Sequence, residues 1–236
     1  MSAAILAAAE PAMRVLARAA ASFAGDFARF GGAPPAPRFQ QDWFPRLDLI
    51  AAYALVRARA PARIVEIGSG HSTRIMARAI ADGRLATRLV SIDPAPRAAL
   101  AGLAVERIGA RVQDADPAAY ARLGAGDVLF VDSSHVGGPG SDVELLLGRV
   151  APALAPRALL HVHDVFLPEP YPASWAWRGY DEHAAVEALL AAGRFRVLWS
   201  SHWALTRLAA DPALAPLLAW PLVEGAHESS LWLERI

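Results

Sequence analysis

The sequence has 236 residues, 55% of them hydrophobic, which is enough to bury the core of one α/β domain. Its 23 basic and 23 acidic residues cancel, so the chain as a whole has no positive field that would attract nucleic acid or an anionic membrane. Every basic residue is arginine and cysteine is absent, which excludes lysine-based mechanisms, thiolate nucleophiles and disulfides.

The first 60 residues predict a helical cap. Apolar residues at helical spacing over residues 13–30 predict an amphipathic helix, which the glycines and prolines at 31–35 end. A second helix is expected at about 45–59, before Pro61. The amphipathic helix is also a candidate surface for pairing two copies of the chain. The alanine-rich start lacks a basic segment, and no uncharged apolar run reaches about 18 residues, so we expect a cytoplasmic protein without a membrane span.

Beyond Pro61, short apolar β-rich runs alternate with helical stretches. This alternation predicts a parallel sheet with helices on both faces, in a Rossmann-like α/β fold. The predicted strands are residues 63–67, 89–92, 107–112, 128–131 and 158–162, followed by a helix at 180–192 and two last strands at 195–200 and 230–233. We therefore expect an N-terminal helical cap at 1–60 and a ligand-binding domain at 61–236, together forming one structural unit.

A glycine-rich turn follows the first predicted strand, within residues 65–73. Gly68 and Gly70 allow the backbone to approach a ligand closely, and the helix that follows presents free N–H groups. In a dinucleotide site, Thr73 would be a third glycine, and the carboxylate of Glu66 would be unfavourable beside a pyrophosphate. The turn therefore favours a ligand without phosphate, such as a sulfonium with an amino-acid tail. An ordinary strand-to-helix turn is the alternative.

Asp93 follows the second predicted strand. Its distance from the glycine turn is close to that of carboxylates that accept both hydroxyls of a ribose. Alone, an aspartate before Pro94 would be a turn residue, but in combination with the turn it predicts ribose recognition.

These residues resemble the class I S-adenosylmethionine-dependent methyltransferases, in their small-molecule branch, from about residue 61 to the C-terminus. The resemblance implies a mostly parallel seven-stranded sheet with its last strand antiparallel, and S-adenosylmethionine as the cofactor. It also implies that the turn holds the methionine part, that Asp93 holds the ribose and that Asp114 lies by the adenine amino group. The residues expected to bind the cofactor are Glu66, Gly68, Ser69, Gly70, Ser72, Thr73, Asp93, Asp114 and Asp132.

Polar residues follow the fourth and fifth predicted strands. Asp132 ends one strand and His163 and Asp164 end the other, so they should meet beyond the carboxyl edge of the sheet. Such a group calls for a cation, and oxygen ligands suit Mg²⁺, Mn²⁺ or Ca²⁺. Catechol-type O-methyltransferases are similar at these positions, which implies Asp132, His163 and Asp164 as metal ligands. His161, inside the strand, is expected to be structural.

The same resemblance implies a base three residues after Asp132. The catechol-type enzymes have a lysine there, whereas this sequence has His135, which titrates near neutrality and could take a proton from the acceptor. The aromatic residues around Arg178 favour an acceptor pocket, with a packed proline-rich loop as the alternative.

The sequence thus predicts methyl transfer from S-adenosylmethionine to a small-molecule acceptor, with oxygen as the expected atom and with either a divalent cation or His135 holding the acceptor. An NAD(P)-dependent oxidoreductase is one alternative, disfavoured by Glu66, by Thr73 and by the absence of lysine. A non-catalytic cofactor-binding scaffold is the other, disfavoured by the cost of burying the polar cluster without a role. A nucleic-acid acceptor is not expected, because the sequence has no basic stripe.

Overall fold

The computed structural model describes residues 1–120 and 122–236 and has a seven-stranded sheet at its centre. The strand order is β3-β2-β1-β4-β5-β7-β6. Strands β3, β2, β1, β4 and β5 are parallel to one another, and β7 is antiparallel to both β5 and β6. This confirms the predicted Rossmann-like class with its antiparallel last strand. The strands are β1 (Arg63–Ile67), β2 (Arg88–Ile92), β3 (Glu106–Ile108), β4 (Val128–Val131), β5 (Leu159–Val162), β6 (Phe195–Ser200) and β7 (Leu231–Arg235).

Helices surround the sheet. The α-helices are α1 (Ser2–Ala8), α2 (Glu10–Ala21), α3 (Ala24–Phe27), α4 (Arg46–Arg59), α5 (His71–Gly83), α6 (Ala151–Ala153), α7 (His183–Ala191), α8 (Ser201–Arg207) and α9 (Ala215–Leu218). A π-helix (Glu144–Val150) leads into α6, and 3₁₀ turns cover Val112–Asp114, Pro117–Ala119 and Ala173–Arg178. Within residues 1–120 and 122–236, no helix combines the length and apolar character that a membrane crossing requires.

The central strands are buried on both faces, as their apolar sequences predict. All four residues of β4 are buried. At the edge, β3 is shorter than the predicted strand at 107–112. Glu106 and Arg107 are exposed, β3 pairs only with β2, and the ladder ends where Ile108 lies opposite Ile92. With one neighbour and little apolar surface to bury, the chain leaves the sheet early.

The predicted helix at 13–30 is wrong in extent. Helix α2 ends at Ala21, because the Ser22 hydroxyl donates to the Ala19 carbonyl at 2.6 Å and the chain turns before α3. The alanine-rich start, for which no structure was predicted, forms α1. Phe27 of α3 is buried against Tyr53 of α4, with the ring centroids 5.3 Å apart.

A buried ion pair ties α4 to the segment before β7. The Arg46 guanidinium donates to both carboxylate oxygens of Glu228, at 3.1 and 2.9 Å, and the Leu47 N–H donates to the same carboxylate at 2.6 Å. Burial raises the pKa of Glu228, and Arg46 opposes that shift. The cap is thereby fixed against the segment that leads into the last strand.

Candidate active site

The glycine turn between β1 and α5 is set by contact with the end of β4. Gly68 has a φ of +84°, and a Cβ atom there would lie 1.9 Å from the carbonyl oxygen of Asp132. The Asp132 N–H in turn donates to the Ile67 carbonyl at 2.9 Å. Gly70 differs, because its backbone is extended and the nearest atom to an added Cβ is Ala98 Cβ at 4.0 Å. The fold therefore requires glycine at position 68, whereas a Cβ atom at position 70 would make no close contact.

Glu66 shapes the turn from behind. Its fully buried carboxylate accepts hydrogen bonds from the hydroxyls of Ser72 at 2.6 Å and Thr73 at 2.7 Å, and the Thr73 hydroxyl accepts the Gly70 N–H at 2.9 Å. Burial raises the pKa of Glu66 to about 8, against the effect of the two hydroxyl donors. The structure thus places Glu66 and Thr73 beneath the turn, where they hold its backbone in position.

A cavity of about 610 Å³ opens beyond the carboxyl ends of β1, β2, β3 and β4, a size typical of small-molecule sites. The predicted residues Gly68, Ser69, Asp93 and Asp132 line it. The Asp93 carboxylate accepts the Ser69 hydroxyl at 2.6 Å and the Ala95 N–H at 2.7 Å, which fixes its orientation at the cavity wall.

Asp114 is not among the residues that line this cavity. It is exposed and forms an ion pair with Arg111, with N–O distances of 2.7 and 3.2 Å, which lowers the pKa of its carboxyl. Its neighbours Val112 and Gln113 line the cavity instead. Strand β3 ends at Ile108, earlier than the predicted end at residue 112. The residues that face the cavity therefore come earlier in the chain than Asp114.

A smaller cavity, of about 30 Å³, adjoins the first and shares Ser69, Arg97 and Asp132 with it. Its remaining lining comes from the start of α5 and from the cap, which contributes Trp43 and Phe44. Of the predicted cofactor residues, Gly70 and Ser72 border this cavity.

The polar residues at the ends of β4 and β5 meet, as the sheet topology predicts. His135 Nε2 lies 3.3 Å from Asp132 Oδ1 and 3.5 Å from Asp164 Oδ2. His163 Nδ1 lies 3.5 Å from Asp132 Oδ1 and 3.4 Å from Asp164 Oδ1. Asp132 is 29% exposed, and the other three side chains are buried. This His–Asp cluster therefore reaches the larger cavity through Asp132.

Two further carboxylates hold the outer nitrogens of the imidazoles. Glu182 pairs with His135 Nδ1, and Asp48 Oδ2 lies 3.2 Å from His163 Nε2. Asp48 also accepts the N–H groups of Ser229 and Ser230. Glu182 and Asp48 are not predictable from spacing, because one precedes α7 and the other lies in α4, and only the fold brings them to the cluster.

The cluster is an array of coupled charges. Burial opposes ionisation, yet Glu182, Asp132 and Asp164 raise the pKa of His135 well above its usual value, and Asp164, Asp132 and Asp48 do the same for His163. Burial also opposes the charge on Asp132, but His163 and His135 hold its pKa well below the usual range. The carboxylates thus favour the protonated form of both imidazoles.

The side chains expected to bind a divalent cation contact one another directly, with His163 Nδ1 3.5 Å from Asp132 Oδ1 and 3.4 Å from Asp164 Oδ1. Across the described ranges, 1–120 and 122–236, no three His, Cys, Asp or Glu side chains are arranged to hold a metal ion.

The backbone is strained at two residues of the cluster. His135 has a φ of 60° and Asp164 a φ of 56°, in the left-handed region that side chains disfavour. Such strain costs on the order of 1–3 kcal/mol per residue and is concentrated at functional sites. His161, by contrast, is stacked on Phe130 with the ring centroids 3.7 Å apart, and burial lowers its pKa well below the usual value.

The aromatic segment that contains Trp175 and Tyr180 covers the cluster. The Tyr180 ring lies 4.5 Å from the His135 ring, and the Asp181 N–H donates to the His135 carbonyl at 3.1 Å. The Arg178 guanidinium lies 4.0 Å from the Trp175 ring centroid.

Residues 65–165, less than half of the chain, match a family described as a methyltransferase domain. The chain is similar in structure to the SAH-bound methyltransferase PaMTH1 of Podospora anserina, with a TM-score of 0.52 and 19% identity over 90% of this chain and 93% of that chain. No curated protein matches it in sequence.

Two other solved structures are more distant. The plantazolicin methyltransferase BpumL, crystallised with a desmethyl substrate analogue and SAH, has a TM-score of 0.49 and 14% identity over 98% of each chain. A branched-chain polyamine synthase mutein from Thermus thermophilus, crystallised with N4-aminopropylspermidine and 5′-methylthioadenosine, has a TM-score of 0.43 and 18% identity over 93% of this chain and 64% of that chain. Residues 65–165 therefore match a methyltransferase domain, and the chain shares its fold with PaMTH1.

Proposed function

We propose that this methyltransferase acts on an oxygen atom of a small-molecule acceptor, next to Asp132. The observation that carries the proposal is that Asp132 both lines the larger cavity and belongs to the buried His–Asp cluster. A methyl donor in the cavity and an acceptor at the cluster would meet there. The sulfonium of S-adenosylmethionine supplies the methyl group, so the main task of the protein is to align donor and acceptor.

Within the cavity, we assign the cofactor contacts by chemistry. Asp93 suits the two ribose hydroxyls, because its carboxylate is already fixed by Ser69 and Ala95. Val112 and Gln113 suit the adenine ring, in place of the predicted Asp114. Glu66 and Thr73 contribute by shaping the turn rather than by contact.

His135 remains the proposed proton acceptor, with Glu182 orienting its ring through Nδ1. The surrounding carboxylates raise the pKa of His135, so a larger share of His135 can act as a base as the pH rises. A base role therefore predicts a rate that increases with pH above neutrality. If His135 instead acts as a cation that stabilises an acceptor oxyanion, the rate should decrease over the same range.

The divalent cation stays a prediction of the sequence, and no step proposed here depends on it. A cytoplasmic location, pairing of two copies through the N-terminal helices, and the division at residue 60 also stay predictions.

The first experiment is calorimetric titration of the protein with S-adenosylhomocysteine, in EDTA and again with Mg²⁺, with NADH as the control ligand. We expect S-adenosylhomocysteine to bind equally in both buffers and NADH not to bind. Binding only with Mg²⁺, lost in Asp164→Ala, would instead establish the metal. NADH binding without S-adenosylhomocysteine binding would favour the oxidoreductase.

The second experiment tests the acceptor. Release of S-adenosylhomocysteine is measured with a panel of phenols, catechols and hydroxy acids across pH 6–9.5, for the wild type and for His135→Asn. A pH-dependent rise present only in the wild type supports the base role. Turnover of amines but not of hydroxyl compounds would overturn oxygen as the methylated atom, and binding without turnover of any compound would favour the scaffold.

A further inference from the structure

An apolar groove with a volume of about 360 Å³ is lined by α2, α4 and the edge strand β6. Leu55, Val197 and Leu198 are its most buried lining residues, and Val15, which also lines it, is 61% exposed. Apart from two arginines, every side chain that lines the groove is apolar: Ala12, Val15, Leu16, Ala19, Leu55, Ala58, Val197 and Leu198.

A β-bulge in β6 contributes two consecutive side chains to this groove. Val197 pairs with Leu233 and Trp199 pairs with Trp232, so the described ladder leaves Leu198 unpaired. In a regular strand, neighbouring side chains point to opposite faces, and a bulge breaks that alternation. Val197 and Leu198 can therefore both line the groove.

A second cavity, of about 440 Å³, adjoins the groove and has a basic lining. Arg59 and Arg196 line both spaces, and Arg157 and Arg235 line the second, which we call the arginine cavity. Glu234 also lines it, accepts a hydrogen bond from Arg196 Nε at 2.8 Å and lies 3.6 Å from the Arg59 guanidinium. Among the described lining residues, four guanidinium groups thus share one side-chain carboxylate.

Two of these arginines are not neutralised. Within the part of the chain that the structure describes, the exposed side chain of Arg157 pairs with no carboxylate. Arg235 donates through Nη1 to the main-chain oxygens of Arg194 at 3.1 Å and Ile236 at 2.6 Å, and its buried Nε has no described hydrogen-bond partner. Because Glu234 is already paired, an anion in the arginine cavity would find free donors and an excess of positive charge.

We propose that the groove and the arginine cavity together bind a fatty acid, with its alkyl chain in the groove and its carboxylate among the arginines. An alkyl chain needs no hydrogen-bond partner on an apolar lining, whereas an extended peptide would bring backbone N–H and C=O groups that must be satisfied. The planar guanidinium of arginine matches a carboxylate with two parallel hydrogen bonds. Each of the two spaces has a volume typical of small-molecule sites.

This site lies at the opposite edge of the sheet from the cavity proposed for the cofactor. Arg157 comes just before β5 and Arg59 just before β1, whereas the larger cavity opens beyond the carboxyl ends of the parallel strands. The two sites share no lining residue among those described. The fatty acid is therefore a ligand additional to the methyl donor and acceptor, and it should bind equally with and without S-adenosylhomocysteine.

The test is calorimetric titration of the full chain with laurate, below the concentration at which laurate forms micelles. Butyrate lacks the long chain, and dodecyltrimethylammonium has the chain but a positive head. We expect one laurate per chain and at least tenfold weaker binding of both controls.

Two variants locate the site. Arg157→Gln removes an unpaired charge from the arginine cavity, and Val15→Glu places a carboxylate in the apolar groove. We expect Arg157→Gln to weaken laurate at least fivefold and Val15→Glu at least tenfold. Arg107→Gln is the matched control, because Arg107 is an exposed arginine at the other edge of the sheet, and it should leave laurate affinity unchanged. Circular dichroism melting of each variant confirms that it folds.

Four results would overturn the proposal. They are a wild type that binds no laurate, laurate affinity that neither Arg157→Gln nor Val15→Glu alters, equal binding of dodecyltrimethylammonium, and competition between laurate and S-adenosylhomocysteine. Sedimentation equilibrium tests a second copy of the chain as the occupant. A wild-type dimer that binds no laurate and that Val15→Glu makes monomeric would assign the groove to an interface instead.

Discussion

Replacing Gly68 with alanine should destabilise the fold far more than the same change at Gly70. At Gly68 the added Cβ would lie 1.9 Å from the Asp132 carbonyl, and the residue would also keep a φ of +84°. The positive φ costs an alanine about 1–2 kcal/mol, and relieving the overlap by moving packed strands costs about 1–3 kcal/mol more. The expected loss is about 2–5 kcal/mol, which lowers the melting temperature by roughly 4–20 °C for a chain of this length.

At Gly70 the backbone is extended and the nearest atom to an added Cβ is 4.0 Å away, so Gly70→Ala should change the free energy of unfolding by less than about 1 kcal/mol. Its methyl group would instead fill the space left for the cofactor, and S-adenosylhomocysteine should bind at least tenfold more weakly. Urea unfolding followed by circular dichroism measures the first quantity, and calorimetry measures the second. Equal unfolding midpoints for Gly68→Ala and the wild type, or unaltered binding by Gly70→Ala, would refute this account of the turn.

Three more predictions follow from buried charges and from the cavity wall. Burial raises the pKa of Glu66 to about 8. Between about pH 4.5 and 8, Glu66 therefore stays protonated in the folded protein but loses its proton in the unfolded chain. The contribution of Glu66 to stability consequently falls as the pH rises through that window. Glu66→Gln should remove that part of the pH dependence of the urea midpoint between pH 5 and 8.5, and parallel curves for the two proteins would contradict the shift. Asp93→Asn should weaken both S-adenosylhomocysteine and 5′-methylthioadenosine by about tenfold to a hundredfold in calorimetry, because it removes a charged acceptor from the ribose; an effect on only one of them would argue against that role. Arg46→Met should cost about 3–5 kcal/mol in urea unfolding by leaving Glu228 buried without its guanidinium, and adding Glu228→Met should restore most of it; a double variant as unstable as the single one would contradict this cause.

The parts of the site that the sequence predicts are those fixed by local chain geometry. The turn at Gly68 and the carboxylate at Asp93 each follow directly from a strand end, and the meeting of Asp132 with His163 follows from the order of parallel strands. In each case the backbone of one strand and its neighbour determines the position.

The rest depends on contacts between distant segments. Asp48 reaches His163 from α4, Glu182 reaches His135 from before α7, and neither has a spacing that marks it. His135 is buried with a positive φ beneath Tyr180, which its spacing from Asp132 does not indicate. These positions result from how the cap and the aromatic segment pack onto the sheet, which periodicity along the chain does not encode.

The position of β7 between β5 and β6 has a consequence for synthesis on the ribosome. Before residues 231–235 emerge, β5 lacks its neighbour on one side and β6 has no neighbour at all, so both present open backbone N–H and C=O groups. Strand edges left open in this way are sites where nascent chains associate wrongly. Because β7 is the last strand in the sequence and lies between β5 and β6, the sheet cannot be completed until residues 231–235 are available.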